Sequence, residues 1–335
     1  MKKILVLLAV FALPFALLHA QEADEPGTGA ELTFVPRLDI GHPLDLGNSS
    51  VYSFFDGNLT DNLSFSACNH WASFALADGK FDSDALKDLY KYTWRSDWTN
   101  WCDWAYLDYS LGNFDIMLGK FTMAVGGIEF DANDVECHKP LMSSLWSNFS
   151  PYQWGGAIGW TNDSESTNIS AEIVTSPYGE KPFGSGLYSY GLKWTGAYGP
   201  VNNIWSVSHI NTGDGYFTIA SLGQTFAFSD ALSFSIDWSN AICDEDDFLV
   251  KGNTAYASFN WSPSDDLEVI VKGGYENAKN YDDNYAIGCA ANWLPLKENK
   301  NLRLHGNLAY RNYGSEGEFF AYVGIMYYLN FHIGR

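Results

Sequence analysis

Hydrophobic residues alternate with polar or small residues at a period of two through nearly the whole chain after residue 30. The clearest run is Asn301–Arg311, in which Leu302 and Leu304 share one face while Arg303 and His305 share the other. Clusters of Asn, Asp, Gly, Pro and Ser separate such runs. Alternation of this kind, bounded by turn-forming residues, is typical of β-strands with one apolar and one polar face.

Sixteen such runs follow one another along the chain, each about ten residues long, which is the length of a tilted strand that crosses a bilayer. An even number of strands is what a closed antiparallel barrel requires. The sequence therefore predicts an all-β fold, a transmembrane antiparallel β-barrel of about 16 strands. The runs lie at residues 31–40, 51–60, 63–74, 101–111, 114–123, 152–162, 167–177, 187–198, 201–211, 216–228, 231–241, 253–263, 266–278, 284–295, 301–313 and 318–333.

The connections between the runs alternate between short and long. The short connections are 61–62, 112–113, 163–166, 199–200, 229–230, 264–265 and 296–300, whereas the others are mostly longer, with 75–100 and 124–151 the longest. Outer-membrane barrels have short periplasmic turns at one end and long outer loops at the other. A chain with an apolar outer face must also close on itself, because lipid offers no partner to an unpaired strand edge.

Aromatic residues are placed where the two ends of such a barrel would meet the membrane interfaces. Rings of Trp and Tyr are enriched at these boundaries in membrane proteins, so two aromatic girdles are predicted. One set precedes the short turns and the other lies beside the long loops: Trp160, Trp194, Tyr198, Trp261 and Trp293 in the first, and Trp101, Trp104, Tyr152 and Trp154 in the second.

The N-terminus has the pattern of a secretion signal. Lys2 and Lys3 precede an apolar run over residues 4–18, and Ala20 offers a small residue for cleavage. We therefore expect a signal peptide at residues 1–20, an N-terminal periplasmic segment at 21–30 and a single barrel over 31–335. No later stretch approaches the length of apolar residues that a membrane-spanning helix needs.

Charge and composition exclude several classes of protein. Lys and Arg total 19 against 40 Asp and Glu, a net charge of -21, which excludes a nucleic-acid binder that relies on a basic surface. The five cysteines are odd in number and widely spaced, so neither a disulfide framework nor a zinc site is predicted. No cofactor or metal is expected. Neither GxSxG nor HExxH occurs, so we predict that the chain is not an enzyme.

Two segments carry a resemblance to a known family. Leu118–Asp131, with the sequence LGKFTMAVGGIEFD, leads into the long connection 124–151, and Tyr327, Leu329 and Phe331 are in step on the last strand. The chain resembles the trimeric porins of Gram-negative outer membranes, and most nearly the phosphate-selective porin O and P type of Bacteroidota. It departs from the usual assembly signal in ending with residues 332–335 after the last aromatic.

The resemblance implies a location in the outer membrane, in contact with membrane lipid and lipopolysaccharide, and assembly as a homotrimer. It implies passive diffusion of small hydrophilic solutes or ions, and a loop at about 124–151 that folds into the lumen as a constriction. The candidate constriction residues are Glu129, Asp131, Asp134, Glu136 and Lys139. Four acids against one lysine predict a preference for cations in a narrow passage.

The predicted wall of the pore carries charges of both signs on the polar face of the strands. The candidate wall residues are Arg37, Asp39, Asp108, Lys193, Lys272, Arg303 and Arg311. The same face also carries further acids: Asp56, Glu172, Asp237, Glu268 and Glu276. A phosphate-selective pore needs clustered Arg or Lys at its neck, so this mixed wall departs from the family pattern and phosphate selectivity is not expected.

Other functions remain open at this stage. The acids of 124–151 could belong to a solvated outer loop that never enters the pore. A non-conducting adhesin or structural surface barrel would use its long loops for contact. A barrel enzyme, for which His138 beside the loop acids is the best candidate, and a secreted soluble β protein are further alternatives. Conductance in planar bilayers separates the adhesin or structural surface barrel from a porin.

Overall fold

The structure is a computed structural model. The structure describes residues 29–42, 49–73, 76–77, 80–81, 102–131, 141–149, 151–179, 181–242, 249–277, 283–296, 299–313 and 316–334. The predicted signal peptide at 1–20 lies outside these residues, as does most of the segment predicted at 21–30. Strand β1 begins at Gly29, two residues before the predicted start of the barrel.

The described chain is built almost entirely from antiparallel strands. The strands of the main sheet are β1 (Gly29–His42), β2 (Ser50–Thr60), β3 (Leu63–Ser73), β4 (Cys102–Leu111), β5 (Phe114–Thr122), β6 (Tyr152–Thr161), β7 (Thr167–Thr175), β8 (Tyr188–Tyr198), β9 (Val201–Asn211), β10 (Tyr216–Ser229), β11 (Leu232–Ile242), β12 (Asn253–Ser264), β13 (Leu267–Asn277), β14 (Asn284–Trp293), β15 (Leu302–Tyr313), β16 (Glu316–Tyr327) and β17 (Leu329–Gly334). Two further strands of two residues each, Leu76–Ala77 and Lys80–Phe81, pair only with each other. Two short helices, α1 (Ile128–Asp131) and α2 (Ser144–Asn148), follow β5.

The strands close into a sixteen-stranded barrel, as predicted, in which β16 and β17 together count as one strand. Strand β17 continues β16 after Tyr328, and together they pair with β1, which also pairs with β2. Every other strand of the main sheet pairs with its neighbours in the chain. The strand boundaries agree with the sixteen runs to within two residues, because the period-two pattern and the turn residues between runs act on the same short segments.

One face of the sheet is polar along continuous rows of paired residues. A single row crosses nine neighbouring strands, β5 to β13, through Asp115, Gly159, Ser170, Lys193, Ser206, Ser221, Ser239, Thr254 and Glu276. Large apolar side chains on the opposite face are exposed, among them Leu118, Ile158, Ile169, Leu192, Val207, Leu222, Val271 and Ile287. Because successive side chains in a strand point to opposite faces, one sequence pattern produces both surfaces.

Residues 123–131 and 141–149, here called the inner segment, lie against the polar face. Met123 and Val125 pack with Val174, Ile210 and Ile219 of the wall in a buried apolar cluster. A segment this short contacts strands from β7 to β15, which is geometrically feasible only on the concave side of a closed sheet. The polar face is therefore the inside of the barrel. In the described part of the chain, no helix is long and apolar enough to span a membrane.

Most of the aromatic rings near the short turns lie on the apolar face. Trp160, Trp261 and Trp293 are exposed there. Trp104 differs from the girdle prediction, because its Nε1 donates a hydrogen bond to Ser66 Oγ at 2.8 Å, on the polar face. The alternation of β4 explains the difference, since Trp104 has the same parity as Asp108. Trp101 lies outside the described residues.

Candidate functional site

Two glycines allow the inner segment to lie directly on the wall. A Cβ on Gly127 would lie 2.1 Å from Asp237 Oδ1, and a Cβ on Gly223 of β10 would lie 2.6 Å from the backbone nitrogen of Ile128. Gly126, with a φ of +71°, turns the chain into this contact. The pattern Val-Gly-Gly after β5 therefore allows a backbone-to-backbone approach that no side chain could permit.

The first part of the inner segment is held by main-chain hydrogen bonds to wall side chains. The N–H of Ala124 donates to Glu172 Oε1 at 2.6 Å, and Ser208 Oγ donates to the carbonyl of Ala124. Ser206 Oγ donates to the carbonyl of Gly126 at 2.6 Å. The wall thus satisfies polar backbone groups that the short segment does not satisfy itself.

Glu129 is a buried anchor in this structure. Its Oε1 accepts hydrogen bonds from Lys272 Nζ at 2.7 Å and from the N–H of Ser143 at 2.8 Å, and its Oε2 accepts one from Ser143 Oγ. The N–H of Glu129 donates to Asp237 Oδ2 at 2.7 Å. The prediction treated Glu129 as a free negative charge and Lys272 as a separate wall residue, whereas the two neutralise each other.

The second part of the inner segment is held by β13 and β15. The N–H of Ser144 donates to Glu276 Oε1 at 2.6 Å. Arg311, which is buried, donates from Nη1 to the carbonyl of Met142 at 2.8 Å and from Nη2 to Ser144 Oγ at 3.0 Å. Arg311 also lies 3.8 Å from Glu276 Oε1. This guanidinium therefore acts as a bridge between the wall and the segment.

Asp131 is the exposed acid of the described inner segment. Lys193 Nζ of β8 lies 2.5 Å from its Oδ1, and both side chains are partly open to solvent. Three candidates for the constriction, Asp134, Glu136 and Lys139, lie outside the described residues.

Arg37 and Asp39 form a separate buried cluster with His305. Arg37 Nε donates to the Asp39 carboxylate at 3.1 Å, and His305 Nε2 lies 2.7 Å from Asp39 Oδ1. Asp39 on β1 and His305 on β15 meet across Gly324 of β16, where a Cβ would lie 2.0 Å from Asp39 Oδ1. Asp39 is completely buried and Arg37 is 2% exposed, so neither side chain presents its charge to open solvent.

Strands β2 to β7 form an acidic sector of the inner wall. Among these described strands Lys120 is the only lysine or arginine, and its Nζ donates to the carbonyl of Cys102 at 2.9 Å. Asp108 on β4 lies close enough to Asp115 on β5 for their charges to repel each other. Asp56 on β2 accepts a hydrogen bond from Ser66 Oγ at 2.5 Å.

The remaining wall candidate, Arg303, pairs with Met326 across β15 and β16 and is half-buried. Sequence reasoning missed several residues of this site, including Ser206, Ser208, Asp115 and Ser143. Asp115 alternates with exposed Phe114 and Ile116, so the period-two pattern of β5 would have placed it on the inner wall. Ser143, which joins Glu129 to α2, carries no comparable signal in the sequence.

Comparisons with known proteins identify the fold. No protein-family model matches the chain, and no curated protein matches it. Solved structures do match: an engineered variant of the porin of Rhodopseudomonas blastica shares 13% identity at a TM-score of 0.54, covering 90% of this chain and 99% of that chain. A triple mutant of the same porin shares 12% identity at a TM-score of 0.52, with the same coverage. This similarity shows a porin-type barrel.

Proposed function

We propose that this chain is an outer-membrane porin through which small hydrophilic solutes and ions diffuse passively, with a preference for cations. One observation carries the proposal: a polar row runs across nine strands of the concave face while the convex face exposes large apolar side chains. The apolar outer surface of such a cylinder suits contact with lipid, and its polar inner surface suits a water-filled lumen. Solutes then cross down their gradients, without a cofactor or an enzymatic step.

The inner segment supports the proposal of a constriction. Its described residues contact the inner wall from β7 to β15, so we expect the segment to reduce the open cross-section there. A rigidly held narrowing discriminates solutes by size, and charges beside it discriminate by sign.

The source of the cation preference follows from which charges are compensated. Glu129 is paired with Lys272, and Asp131 with Lys193. Asp56, Asp108 and Asp115 of the acidic sector form no ion pair with any described lysine or arginine. We therefore assign the preference mainly to Asp56, Asp108 and Asp115, with Asp134 and Glu136 as further contributors and Lys139 opposing them.

The expected surroundings are part of the same proposal. A signal peptide at 1–20 would direct the chain through the inner membrane, and the apolar outer face would contact lipid and lipopolysaccharide in the outer membrane of a Gram-negative bacterium. A homotrimer is proposed on the porin-type fold. Phosphate selectivity is not proposed, because the described basic residues are paired with acids or dispersed along the wall.

A second candidate is a non-conducting surface barrel. The burial of Arg37 and Asp39, which lie on the concave side, favours it, because charged groups of a water-filled lumen are ordinarily hydrated. The same burial in a conducting barrel would indicate a pore that is open only along part of its wall.

Planar-bilayer recording of the refolded mature chain tests both candidates. A porin gives stepwise, long-lived conductance increments that grow with salt concentration, and a reversal potential of the sign expected for cations across a salt gradient. A folded barrel that inserts into bilayers but gives no conductance would contradict the porin function and support the surface barrel. Passage of an uncharged sugar in liposome-swelling assays measures the size limit independently.

A further inference from the structure

A small cavity lies between the inner segment and the wall. Its volume is about 10 Å³, which is the space of one water-sized particle. Gly127 and Phe130 contribute to its lining, and the other six lining residues each carry a side-chain oxygen: Glu129, Ser143, Asp237, Ser239, Thr254 and Tyr256. Glu129, Ser143, Ser239 and Tyr256 are each more than nine-tenths buried.

One oxygen in this cavity lacks a partner. Asp237 Oδ2 accepts the N–H of Glu129, whereas Asp237 Oδ1 is buried and has no hydrogen-bond partner among the described residues. A buried carboxylate oxygen without a partner is costly, so such an atom ordinarily contacts a donor or a cation. Oδ1 lies against Gly127, where a Cβ would be 2.1 Å away from it.

The charges around the cavity do not balance. Three carboxylates, Asp237, Glu129 and Glu276, meet two basic groups, Lys272 and Arg311. Lys272 is engaged by Glu129, and Arg311 lies beside Glu276 and the inner segment. Among the described residues, Asp237 forms no ion pair of its own, although Lys272 lies near enough to act on its charge.

We propose that this cavity binds one dehydrated hard cation, Ca²⁺ or Na⁺, with Asp237 Oδ1 as its charged ligand. The cavity lining supplies six side-chain oxygens, and oxygen ligands suit these ions. The described residues hold no group of three or more His, Cys, Asp or Glu that could bind a metal ion, so the proposed site depends on neutral oxygens beside its two carboxylates. Mg²⁺ fits less well, because it retains several waters for which this cavity has no room.

The bound cation would join the inner segment to the wall. Glu129 and Ser143 belong to the segment, while Asp237, Ser239, Thr254 and Tyr256 belong to β11 and β12. An ion shared by both sets stabilises the docked segment by its binding free energy, since it binds the folded chain only. This proposal is independent of whether the barrel conducts.

Terbium luminescence tests the site directly, because Tb³⁺ replaces Ca²⁺ at oxygen sites and Tyr256 lies in the cavity as a sensitiser. The full mature chain in detergent, washed with chelator and kept in choline chloride, is titrated with Tb³⁺. We expect one tight site per chain, displaced by Ca²⁺ or by Na⁺, and the competing ion that displaces at the lower concentration identifies the natural ligand.

The variants Asp237→Asn and Thr254→Val remove a charged and a neutral ligand. We expect at least a tenfold loss of affinity for Asp237→Asn and a smaller loss for Thr254→Val, whereas Asp265→Asn, in an exposed turn, retains the site. Melting temperatures in choline chloride, NaCl and CaCl₂ give a second readout: the cation-dependent rise of the native chain disappears in Asp237→Asn. Equal binding by native chain and Asp237→Asn, or a melting temperature indifferent to both cations, would overturn the proposal in favour of a water molecule or a proton.

Discussion

The ammonium of Lys272 on β13 lies 2.7 Å from the carboxylate of Glu129 on the inner segment, and both side chains are largely buried. The pair joins two parts of the chain separated by 143 residues. A buried ion pair contributes little net stability relative to an apolar pair, but removal of one partner leaves the other charge buried and alone. The Lys272–Glu129 ion pair therefore holds the inner segment in one specific position on the wall.

Replacement of Lys272 by Met is expected to lower the free energy of unfolding by about 3 kcal/mol, because Glu129 would stay buried without its cation. Denaturant-induced unfolding in detergent, followed by Trp fluorescence, measures the change. Adding Glu129→Gln should restore much of the loss. Lys193→Met is the matched control: its pair with Asp131 is partly exposed, and surface pairs contribute about 0–1 kcal/mol. Equal losses of unfolding free energy in Lys272→Met and Lys193→Met would contradict this role of the buried ion pair.

Ion selectivity is expected to depend on the acidic sector more than on Glu129. In the variant Asp108→Asn with Asp115→Asn, the reversal potential across a KCl gradient should shift toward zero, and the shift should be larger at low salt because salt screens fixed charges. The double variant Glu129→Gln with Lys272→Met should leave the reversal potential nearly unchanged, because it removes two charges that already compensate each other. A dominant effect of this double variant would place selectivity in the inner segment instead.

The strand architecture was predictable from the sequence, and the pairing within the lumen was not. Period-two alternation determines which residues share a face, so Lys193, Lys272 and Arg311 could be assigned to one face before any coordinates were known. Alternation does not give the height of a residue in a tilted barrel, nor its neighbour across the lumen. The pairs Glu129–Lys272 and Asp131–Lys193 depend on the path of a loop whose contacts lie far away in the sequence.

The girdle prediction for Trp104 failed, although the alternation pattern of its strand indicated the correct face. Its position beside a long connection favoured a place in an aromatic girdle, but its parity on β4 places it on the polar face with a hydrogen bond to Ser66. The parity of a residue within its strand is thus more informative than its distance from a turn.

Docking of the inner segment is expected to depend on Gly223. A Cβ in Gly223→Ala would lie 2.6 Å from the backbone nitrogen of Ile128, so the segment must move away from β10. We expect a larger single-channel conductance with more frequent transitions, measured in planar bilayers, together with a stability loss of about 1–3 kcal/mol from overpacking. Gly159→Ala is the control on the same inner face, because its nearest neighbour would be a side-chain nitrogen of Asn168 at 3.3 Å. Unchanged conductance in Gly223→Ala would show that the segment does not limit the passage.

Gly324 is expected to be necessary for the contact between Asp39 and His305. In Gly324→Ala the new Cβ would lie 2.0 Å from Asp39 Oδ1 and 2.3 Å from His305 Nε2, so the two side chains must separate. Asp39 would then keep Arg37 but lose His305, and β1 would lose this side-chain link to β15 across β16. We expect a loss of about 2 kcal/mol or more in the free energy of unfolding, in line with broken buried hydrogen bonds to charged groups.

Hydrogen exchange locates the effect of Gly324→Ala, because the barrel is closed by β1 against β16 and β17. Amides of β1, β16 and β17 should exchange faster in the variant, while those of β8 to β11 on the far side keep their native rates. Gly306→Ala, one strand away on β15, is the control, since its Cβ would come no closer than 3.2 Å to the carbonyl of Tyr322. Two results would show that the Asp39–His305 contact does not secure the closure of the barrel. One is faster exchange of amides throughout the Gly324→Ala variant, and the other is exchange no faster than in Gly306→Ala.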